Sequence, residues 1–268
     1  MGECELELAA LSDQGTERGH NEDSCGTLIE SGACALVAVA DGVSMSEGGE
    51  VASEMAIAVL LRAYQEQPAS LAAGQRLYRA VQQANIEVYD RAIAVPELRG
   101  MATTLTAAVV ERGELTAVHV GDSRLYLVRG GEVVQLTKDH TVAAEKARLG
   151  LMGQERARSH PDRCILTRSV GRELIVNRDR FTRRLAQGDV LILCSDGLHN
   201  VLSDGEMASL ANGREAAEAC RTLVGAANER GAPDNVTAAV VRVVGPVPEE
   251  EPGGIGKTLR RFLGSSWR

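Results

Sequence analysis

Apolar residues fall into two kinds of stretch along this chain. Short apolar runs bounded by turn residues predict strands over residues 5–11, 33–40, 103–111, 115–120, 124–129, 132–136, 189–194 and 236–244. Helical spacing of apolar residues predicts helices over residues 50–66, 71–93, 204–210 and 215–229. Residues 139–171 are polar and weakly patterned, which predicts a helix followed by an irregular flap.

The order of these elements predicts a layered α+β fold. The four strands between residues 103 and 136 are separated by only a few residues, whereas a parallel crossover needs a dozen or more. Neighbouring strands should therefore be antiparallel. Strands in a block and helices segregated in pairs favour an α+β sandwich over a doubly wound sheet.

Composition and charge narrow the class of protein. The chain is 44% apolar and 25% charged, and its net charge of -8 argues against binding to nucleic acid. The six cysteines form no C-x-x-C pair, and the N-terminal residues lack the basic and apolar regions of a signal peptide. No apolar stretch is long enough to span a membrane. We therefore expect a cytoplasmic protein.

The C-terminal segment 246–268 differs from the body. It begins with a linker, GPVPEEEPGG, and continues with apolar residues at helical spacing beside Lys257, Arg260 and Arg261. Two interpretations stay open for residues 255–268. The segment is either a frayed end or a short amphipathic helix that docks on a partner or an anionic membrane. The predicted organisation is one domain over 1–245 and a tail over 246–268.

Three predicted strands end in the same way, with an aspartate beside a glycine. The pairs are Asp41–Gly42, Gly121–Asp122 and Asp196–Gly197. Each pair alone is typical of a turn. Three such ends predict that the carboxylates converge at one edge of stacked sheets.

Two further acidic motifs add oxygen ligands. Asn21, Glu22 and Asp23 lie in the first polar loop, and Asp234 precedes the last predicted strand. Carboxylates without paired soft ligands suit Mg²⁺ or Mn²⁺ rather than zinc. Two such ions can share a water, lower its pKa and direct it at phosphorus.

Seven stretches carry a resemblance to a known family. They are SDQGTERGHNEDS (12–24), ADG with GGEVAS (40–53), GMATTLT (100–106), HVGDSRLYLVRGGEVVQLTKDHT (119–141), SHPDRCILTRSVG (159–171), GDVLILCSDGL (188–198) and GAPDNVT (231–237). In this order and spacing they resemble the metal-dependent type 2C serine/threonine protein phosphatases, especially the bacterial branch. The resemblance implies a four-layer α-β-β-α sandwich, with two mostly antiparallel sheets flanked by helix pairs and a flap near 140–170.

The resemblance also implies the metal ligands. It gives two core cations, Mn²⁺ or Mg²⁺, which the Asp41 carboxylate bridges and to which the Gly42 carbonyl is a further ligand. Four other acids complete the core set: Asp196 and Asp234 as direct ligands of one core ion, and Asp23 and Glu22 as holders of metal-bound waters. The resemblance implies that Asp122 is a ligand of a third, weaker ion, which Asp196 also binds.

Arg18 corresponds to the arginine that grips the substrate phosphate. Its guanidinium fork fits two phosphoryl oxygens and stays charged at any relevant pH. The alternative for Arg18 is an ordinary arginine on a surface loop. With this residue, Asp23 and Asp41 as the catalytic set, the implied reaction is hydrolysis of phosphoserine and phosphothreonine by a metal-bridging hydroxide, without a phosphoenzyme.

The implied partners are phosphorylated proteins, including a serine/threonine kinase or its targets, and the implied state is a monomer. One loop departs from the family pattern, because Val43-Ser44-Met45-Ser46 stands where the family has a glycine pair, often followed by histidine. A second hypothesis is therefore a pseudophosphatase that binds phosphoproteins without turnover. A sigma-factor-regulator phosphatase and a calcium-binding structural protein rank lower.

The histidines give weak signals. His119 falls on a predicted strand, where packing explains it, and His140, His160 and His199 are expected in loops. The resemblance leaves a helper role open for His140 and His160. Ordinary polar structure is the competing explanation for each of them.

Overall fold

A computed structural model describes residues 4–31, 33–43 and 48–247 of the chain. The departing loop residues Ser44, Met45 and Ser46 and the predicted docking segment 255–268 lie outside the described residues. Within them, ten strands form two antiparallel sheets of five strands each. The strands are β1 Leu6–Asp13, β2 Asp23–Ser31, β3 Cys34–Asp41, β4 Leu105–Glu111, β5 Glu114–Val120, β6 Arg124–Arg129, β7 Glu132–Gln135, β8 Asp179–Arg184, β9 Val190–Cys194 and β10 Val236–Val243.

Helices lie in pairs along the chain, as the sequence predicts. They are α1 Gly49–Glu66, α2 Ala73–Ala94, α3 Val142–Arg148, α4 Gln154–Ser159, α5 Asp196–His199, α6 Asp204–Ala211 and α7 Ala216–Glu229, with short 3₁₀ turns at Pro96–Leu98 and Pro161–Cys164. In the part of the chain that the structure describes, no helix is long and apolar enough to cross a membrane.

The sheets and helices stack in four layers. One sheet has the order β1-β10-β9-β6-β7 and the other has the order β2-β3-β4-β5-β8. Three apolar clusters hold the layers together: one between α1, α2 and the second sheet, one between α6, α7 and the first sheet, and one between the two sheets. The predicted α-β-β-α sandwich with antiparallel sheets is confirmed.

The central strands are apolar on both faces because both faces are covered. Seven of the eight residues of β3 are buried, and all five residues of β9 are buried. A strand of this kind has a continuous apolar sequence instead of an alternating one. This is why the runs CALVAVA and VLILC predicted their strands well.

Two edge strands were missed. β2 contains Gly26, which weakens a strand pattern, but a Cβ at this position would lie 2.7 Å from Ile57 of α1. The glycine therefore lets α1 approach the sheet. β8 has the sequence DRFTRR, and its charged residues fit an edge strand that pairs only with β5.

Two local predictions need correction. The flap region contains two short helices, α3 and α4, where one helix was expected. His199 ends the short helix α5 and does not lie in a loop, because Asp196 starts a helical turn directly after β9. The expectation that His119 lies on a strand is confirmed, since it is a fully buried residue of β5.

The layer between the sheets gives a stability prediction. Leu193 of β9 pairs with Leu125 of β6, and both side chains are fully buried in the cluster between the sheets. We expect Leu193→Ala to lower the free energy of unfolding by about 2–5 kcal/mol, because it leaves a cavity. Ile175→Ala is the matched control, since Ile175 is 74% exposed, and it should change stability by less than about 0.5 kcal/mol. Urea unfolding checks both, and equal losses would contradict the expectation.

Candidate active site

The acidic motifs meet at one edge where the two sheets adjoin. Asp23 begins β2 and pairs with Asp41 at the end of β3, and Asp122 follows β5 in the same sheet. Asp196 follows β9 and Asp234 precedes β10, both in the other sheet. Burial, followed by the charges of the other four carboxylates, raises the pKa of Asp41 well above its usual range. The structure therefore brings the five predicted aspartates together.

Two threonines fix the backbone of Asp41. The Asp41 N–H donates to Thr104 Oγ1 at 2.9 Å, and the Asp41 carbonyl accepts from the Thr104 N–H at 2.8 Å. The Thr103 hydroxyl donates to the same carbonyl at 2.9 Å. These bonds orient the end of β3 through its backbone and leave the carboxylate to point into the acidic cluster.

Asp23 is held by two hydroxyl groups from the opposite sheet. Its Oδ2 accepts hydrogen bonds from Ser195 Oγ at 2.6 Å and from Thr237 Oγ1 at 2.7 Å. Burial raises the pKa of Asp23 to about 7, although the two hydroxyls lower it, and the charges of Asp196 and Asp234 raise it further. The carboxyl group is thus fixed in place and reluctant to ionise.

Arg18 lies at the site and not on a remote surface loop. Its Nη2 donates to Asp234 Oδ2 at 2.7 Å, and its side chain is 38% exposed. On the other side of Asp234, burial and then the Asp234 charge raise the pKa of Asp196 to about 6. Asn200 donates to Asp196 Oδ2 at 3.1 Å, so this carboxylate too has a donor from the chain.

The absence of a side chain at Gly42 lets its backbone approach Glu22 and Gly49. The Gly42 N–H donates to the Glu22 carbonyl at 3.0 Å, and a Cβ on Gly42 would lie only 2.4 Å from the Gly49 carbonyl oxygen. A Cβ on Gly49 would lie 3.0 Å from Glu22 Oε1. The Glu22 carboxylate therefore packs beside Gly49, next to Gly42.

Sequence reasoning missed the residues that support the acids. Asn235 fastens the first loop, because its Oδ1 accepts from the Glu22 N–H at 2.8 Å and its Nδ2 donates to the carbonyls of Gln14 and His20. The other supporting residues are Thr103, Thr104, Ser195 and Thr237. All of them lie in the stretches quoted above, yet a threonine or an asparagine in a turn gives no signal of its bonding partner.

The buried histidines near the site are neutral at ordinary pH. Burial lowers the pKa of His199 to about 3 and that of His119 to about 4, and it also lowers the pKa of His140. His160 is farther out, where its Nδ1 accepts from the Asp162 N–H at 3.1 Å and so caps a 3₁₀ turn.

A cavity adjoins the acidic cluster on the flap side. Its volume is about 410 Å³, and its wall includes Asp122, Asp196 and His199 together with Arg163 of the flap. Arg163 Nη1 donates to Asn200 Oδ1 at 2.5 Å, which links the flap to α5. Because Asp122 and Asp196 line the cavity, a group held in it can reach these carboxylates.

The donor set fits hard cations. In the described ranges no three His, Cys, Asp or Glu side chains are close enough to form a ligand cluster. Even so, the carboxylates affect one another strongly, since four of them raise the pKa of Asp41. The carboxylates therefore lie around a common space, and rotation of their side chains can bring their oxygens closer together. Oxygen ligands of this kind suit Mn²⁺ or Mg²⁺.

Comparison with known proteins identifies the family. The family model described as protein phosphatase 2C matches residues 16–240. The serine/threonine phosphatase stp of Listeria innocua is 37% identical over 234 residues, which cover 86% of this chain and 93% of that protein. The serine/threonine protein phosphatase PstP of Mycobacterium tuberculosis is 39% identical over 240 residues, which cover 89% of this chain but only 45% of PstP.

Solved structures agree with the sequence comparison. The crystal structure of the PstP catalytic domain in complex with two manganese ions has a TM-score of 0.77 to this chain at 35% identity, covering 89% of this chain and 98% of that one. The chain therefore belongs to the protein phosphatase 2C family and is a bacterial, metal-dependent serine/threonine protein phosphatase.

Proposed function

We propose that this chain hydrolyses phosphoserine and phosphothreonine in proteins with divalent cations held at the acidic edge, and that it thereby opposes serine/threonine kinases. The observation that carries the proposal is the convergence of five aspartates from both sheets, with Arg18 beside them. Five like charges buried together are costly unless cations neutralise them. A phosphorylated kinase or its targets are the proposed substrates.

The proposed core site holds two ions, Mn²⁺ or Mg²⁺. Asp41 would be the ligand shared by both ions, with the Gly42 carbonyl as a further ligand, and Asp196 and Asp234 would be direct ligands of one of them. Asp23 and Glu22 hold water ligands, which agrees with the position of Asp23 behind the cluster, against Ser195 and Thr237. Bound ions would supply an activated water nucleophile and neutralise charge on the phosphoryl oxygens. The comparison with PstP and its two manganese ions supports this number of core ions.

In this proposal Arg18 binds the phosphate of the substrate. Its guanidinium pairs with Asp234, and a phosphate that arrives at the site offers a second anionic partner. Because a guanidinium presents several donors in one plane, it can bind two phosphoryl oxygens and fix the phosphorus in front of the nucleophile. Arg18 also neutralises charge that develops on those oxygens during the reaction.

The cavity next to the acids is the proposed place for the substrate polypeptide. It lies between the flap and the sheet edge and includes Asp122 and Asp196 in its wall, so a residue next to the phosphorylated one can enter it. A third, weaker ion shared by these two acids is part of the proposal. The docking role of residues 255–268, the domain boundary near 245, the monomeric state and the cytoplasmic location stay predictions.

The first prediction concerns the bridging acid. We expect wild-type protein to hydrolyse p-nitrophenyl phosphate and a phosphothreonine peptide with Mn²⁺ and to lose this activity in EDTA. Asp41→Ala should reduce turnover by more than the roughly 10–100-fold that is typical of outer-sphere changes. Asp90→Ala is the control, because Asp90 is an exposed acid on α2, and it should leave turnover unchanged. A folded wild type that binds Mn²⁺ without turnover would favour the pseudophosphatase hypothesis.

The second prediction concerns the phosphate grip. Arg18→Lys keeps the charge but loses the planar fork, so kcat/KM should fall by about 10–100-fold, the equivalent of losing ~1.5–3 kcal/mol from a charged hydrogen bond. KM should account for part of the loss. Arg221→Lys on α7 is the control, since Arg221 is exposed and away from the acids. Unchanged kinetics of Arg18→Lys would return Arg18 to the role of a structural partner of Asp234.

The third prediction concerns pH and metal-free stability. The folded protein holds a proton on Asp23 up to pH about 7, whereas an unfolded chain releases it near pH ~3.9. The stabilising contribution of this proton is therefore complete below pH ~4 and is lost as pH rises through about 7. In EDTA we expect wild type to lose stability between pH 5 and pH 8 relative to Asp23→Asn, by at most about 3 kcal/mol.

Saturating Mn²⁺ provides the control for this comparison. Cations favour the ionised carboxylates, so they should reduce the loss of stability of wild type at pH 8. Thermal unfolding at the two pH values, with EDTA or with Mn²⁺, measures the difference. Parallel pH profiles of the two proteins in EDTA would show that Asp23 is ionised in the folded state.

A further inference from the structure

Close packing at Gly121 and hydrogen bonds at Ser123 restrain the loop that carries Asp122. Gly121 has a φ of +108°, and a Cβ there would lie 2.5 Å from Thr104 Cβ, so the loop approaches β4 more closely than another residue allows. The Ser123 hydroxyl hydrogen-bonds to the Thr104 hydroxyl at 2.6 Å, and the Ser123 carbonyl accepts from Thr106 Oγ1 at 2.9 Å. The Asp122 carboxylate itself lines the cavity.

His140 binds both backbone polar groups of Gly121, the residue before Asp122. Its Nδ1 accepts the Gly121 N–H at 3.1 Å, and its own backbone N–H donates to the Gly121 carbonyl at 2.8 Å. Because Nδ1 accepts a hydrogen bond, the proton of the neutral ring is on Nε2. That nitrogen lies 3.4 Å from Asp179 Oδ2, which is a suitable acceptor, and 3.1 Å from Arg168 Nη1, which can only donate and which binds Asp179 Oδ1 at 2.8 Å.

His199 binds the peptide group on the other side of Asp122. Its Nε2 lies 3.1 Å from the Asp122 carbonyl oxygen, so Nε2 carries the proton and donates it. Its Nδ1 is buried and has no partner among the described residues. An unpaired buried nitrogen is costly, which indicates that the ring is retained for its bond to Asp122 and not for general polar packing.

We propose that His140 and His199 are positioning residues that hold Asp122 from both sides through its backbone, so that its carboxylate faces Asp196 across the cavity edge and the pair can bind the weaker third cation. This inference rests on the proposed function. It assigns roles to two histidines that contact neither the substrate nor an ion. Their bonds leave the carboxylate of Asp122 available, in the same way that Thr103 and Thr104 leave the carboxylate of Asp41 available.

The two rings use different nitrogens, and this makes the proposal sharply testable. The amide oxygen of asparagine stands close to the position of Nδ1, whereas the amide nitrogen of glutamine stands close to that of Nε2. His140→Asn therefore keeps the acceptor for Gly121, and His140→Gln loses it. His199→Gln keeps the donor to Asp122, and His199→Asn loses it. Simple filling of space predicts no such reversal between the two positions.

The experiment is a calorimetric titration of the full chain with Mn²⁺, with half-maximal Mn²⁺ for p-nitrophenyl phosphate hydrolysis as a second readout. We expect His140→Gln and His199→Asn to weaken the weakest Mn²⁺ site by about 10–100-fold, as is typical of supporting residues around a metal. His140→Asn and His199→Gln should retain most of the affinity. The tight sites should change little in all four proteins. His160→Asn and His160→Gln, in the flap, serve as matched controls and should behave alike.

Amide NMR gives a readout that needs no ion. The Gly121 N–H should stay protected from hydrogen exchange in His140→Asn and become exchangeable in His140→Gln. Equal behaviour of the asparagine and glutamine variants at each position, in binding and in exchange, overturns the proposal.

Two further variants separate this failure from a failure of the proposed function. If Asp122→Ala leaves the weakest Mn²⁺ site intact, Asp122 is not its ligand and the histidine proposal falls, while the core site stands. If Asp41→Ala leaves every Mn²⁺ site intact, the proposed function itself fails. Loss of only the weakest site in Asp122→Ala, with the reversal described above, supports both.

Discussion

The concentration of five carboxylates at the edge between two sheets is the constraint on which the rest of this structure depends. Burial, followed by the charges of neighbouring carboxylates, raises the pKa of Asp41 and of Asp122 well above the usual range, so the folded chain carries a local electrostatic cost. Arg18 offsets part of it through Asp234. A folded protein can retain such a cost when its apolar layers stabilise the fold and the costly site has a function.

The groups that hold the aspartates in position differ from the groups that would bind cations. Hydrogen bonds to the backbone fix the positions of Asp41 and Asp122, and the carboxylates remain available for cations. The carboxylate of Asp23, set behind the cluster, is bound by two hydroxyls from the other sheet, whereas those of Asp196 and Asp234 accept from Asn200 and Arg18. A cluster held through its side chains would instead lose its ligands to the protein's own donors, so the pattern of restraint is what suits the site to metal binding.

The sequence predicted the parts of this arrangement that have local signals. Continuous apolar runs predicted β3 and β9, and an aspartate directly after each run predicted the acidic edge. β8 escaped because an edge strand needs no apolar face, and its arginines resemble a loop. The support of Asp23 escaped for another reason: Ser195 and Thr237 are 172 and 214 residues away in sequence, and a hydroxyl side chain does not reveal a distant partner.

The same distances explain why the site exists only in the folded protein. Asp23 and Asp41 belong to one sheet, whereas Ser195, Asp196 and Asp234 belong to the other, and the link between the sheets is the apolar layer that contains Leu125 and Leu193. Antiparallel hairpins can form each half separately, but neither half has the full ligand set. Because the cations would bind both halves, their binding energy would add to the apolar layer in holding the sheets together. We therefore expect metal binding and sheet packing to be energetically coupled. Without cations, repulsion among the carboxylates opposes the stacking of the sheets. With cations bound, attraction between the ions and the carboxylates favours it.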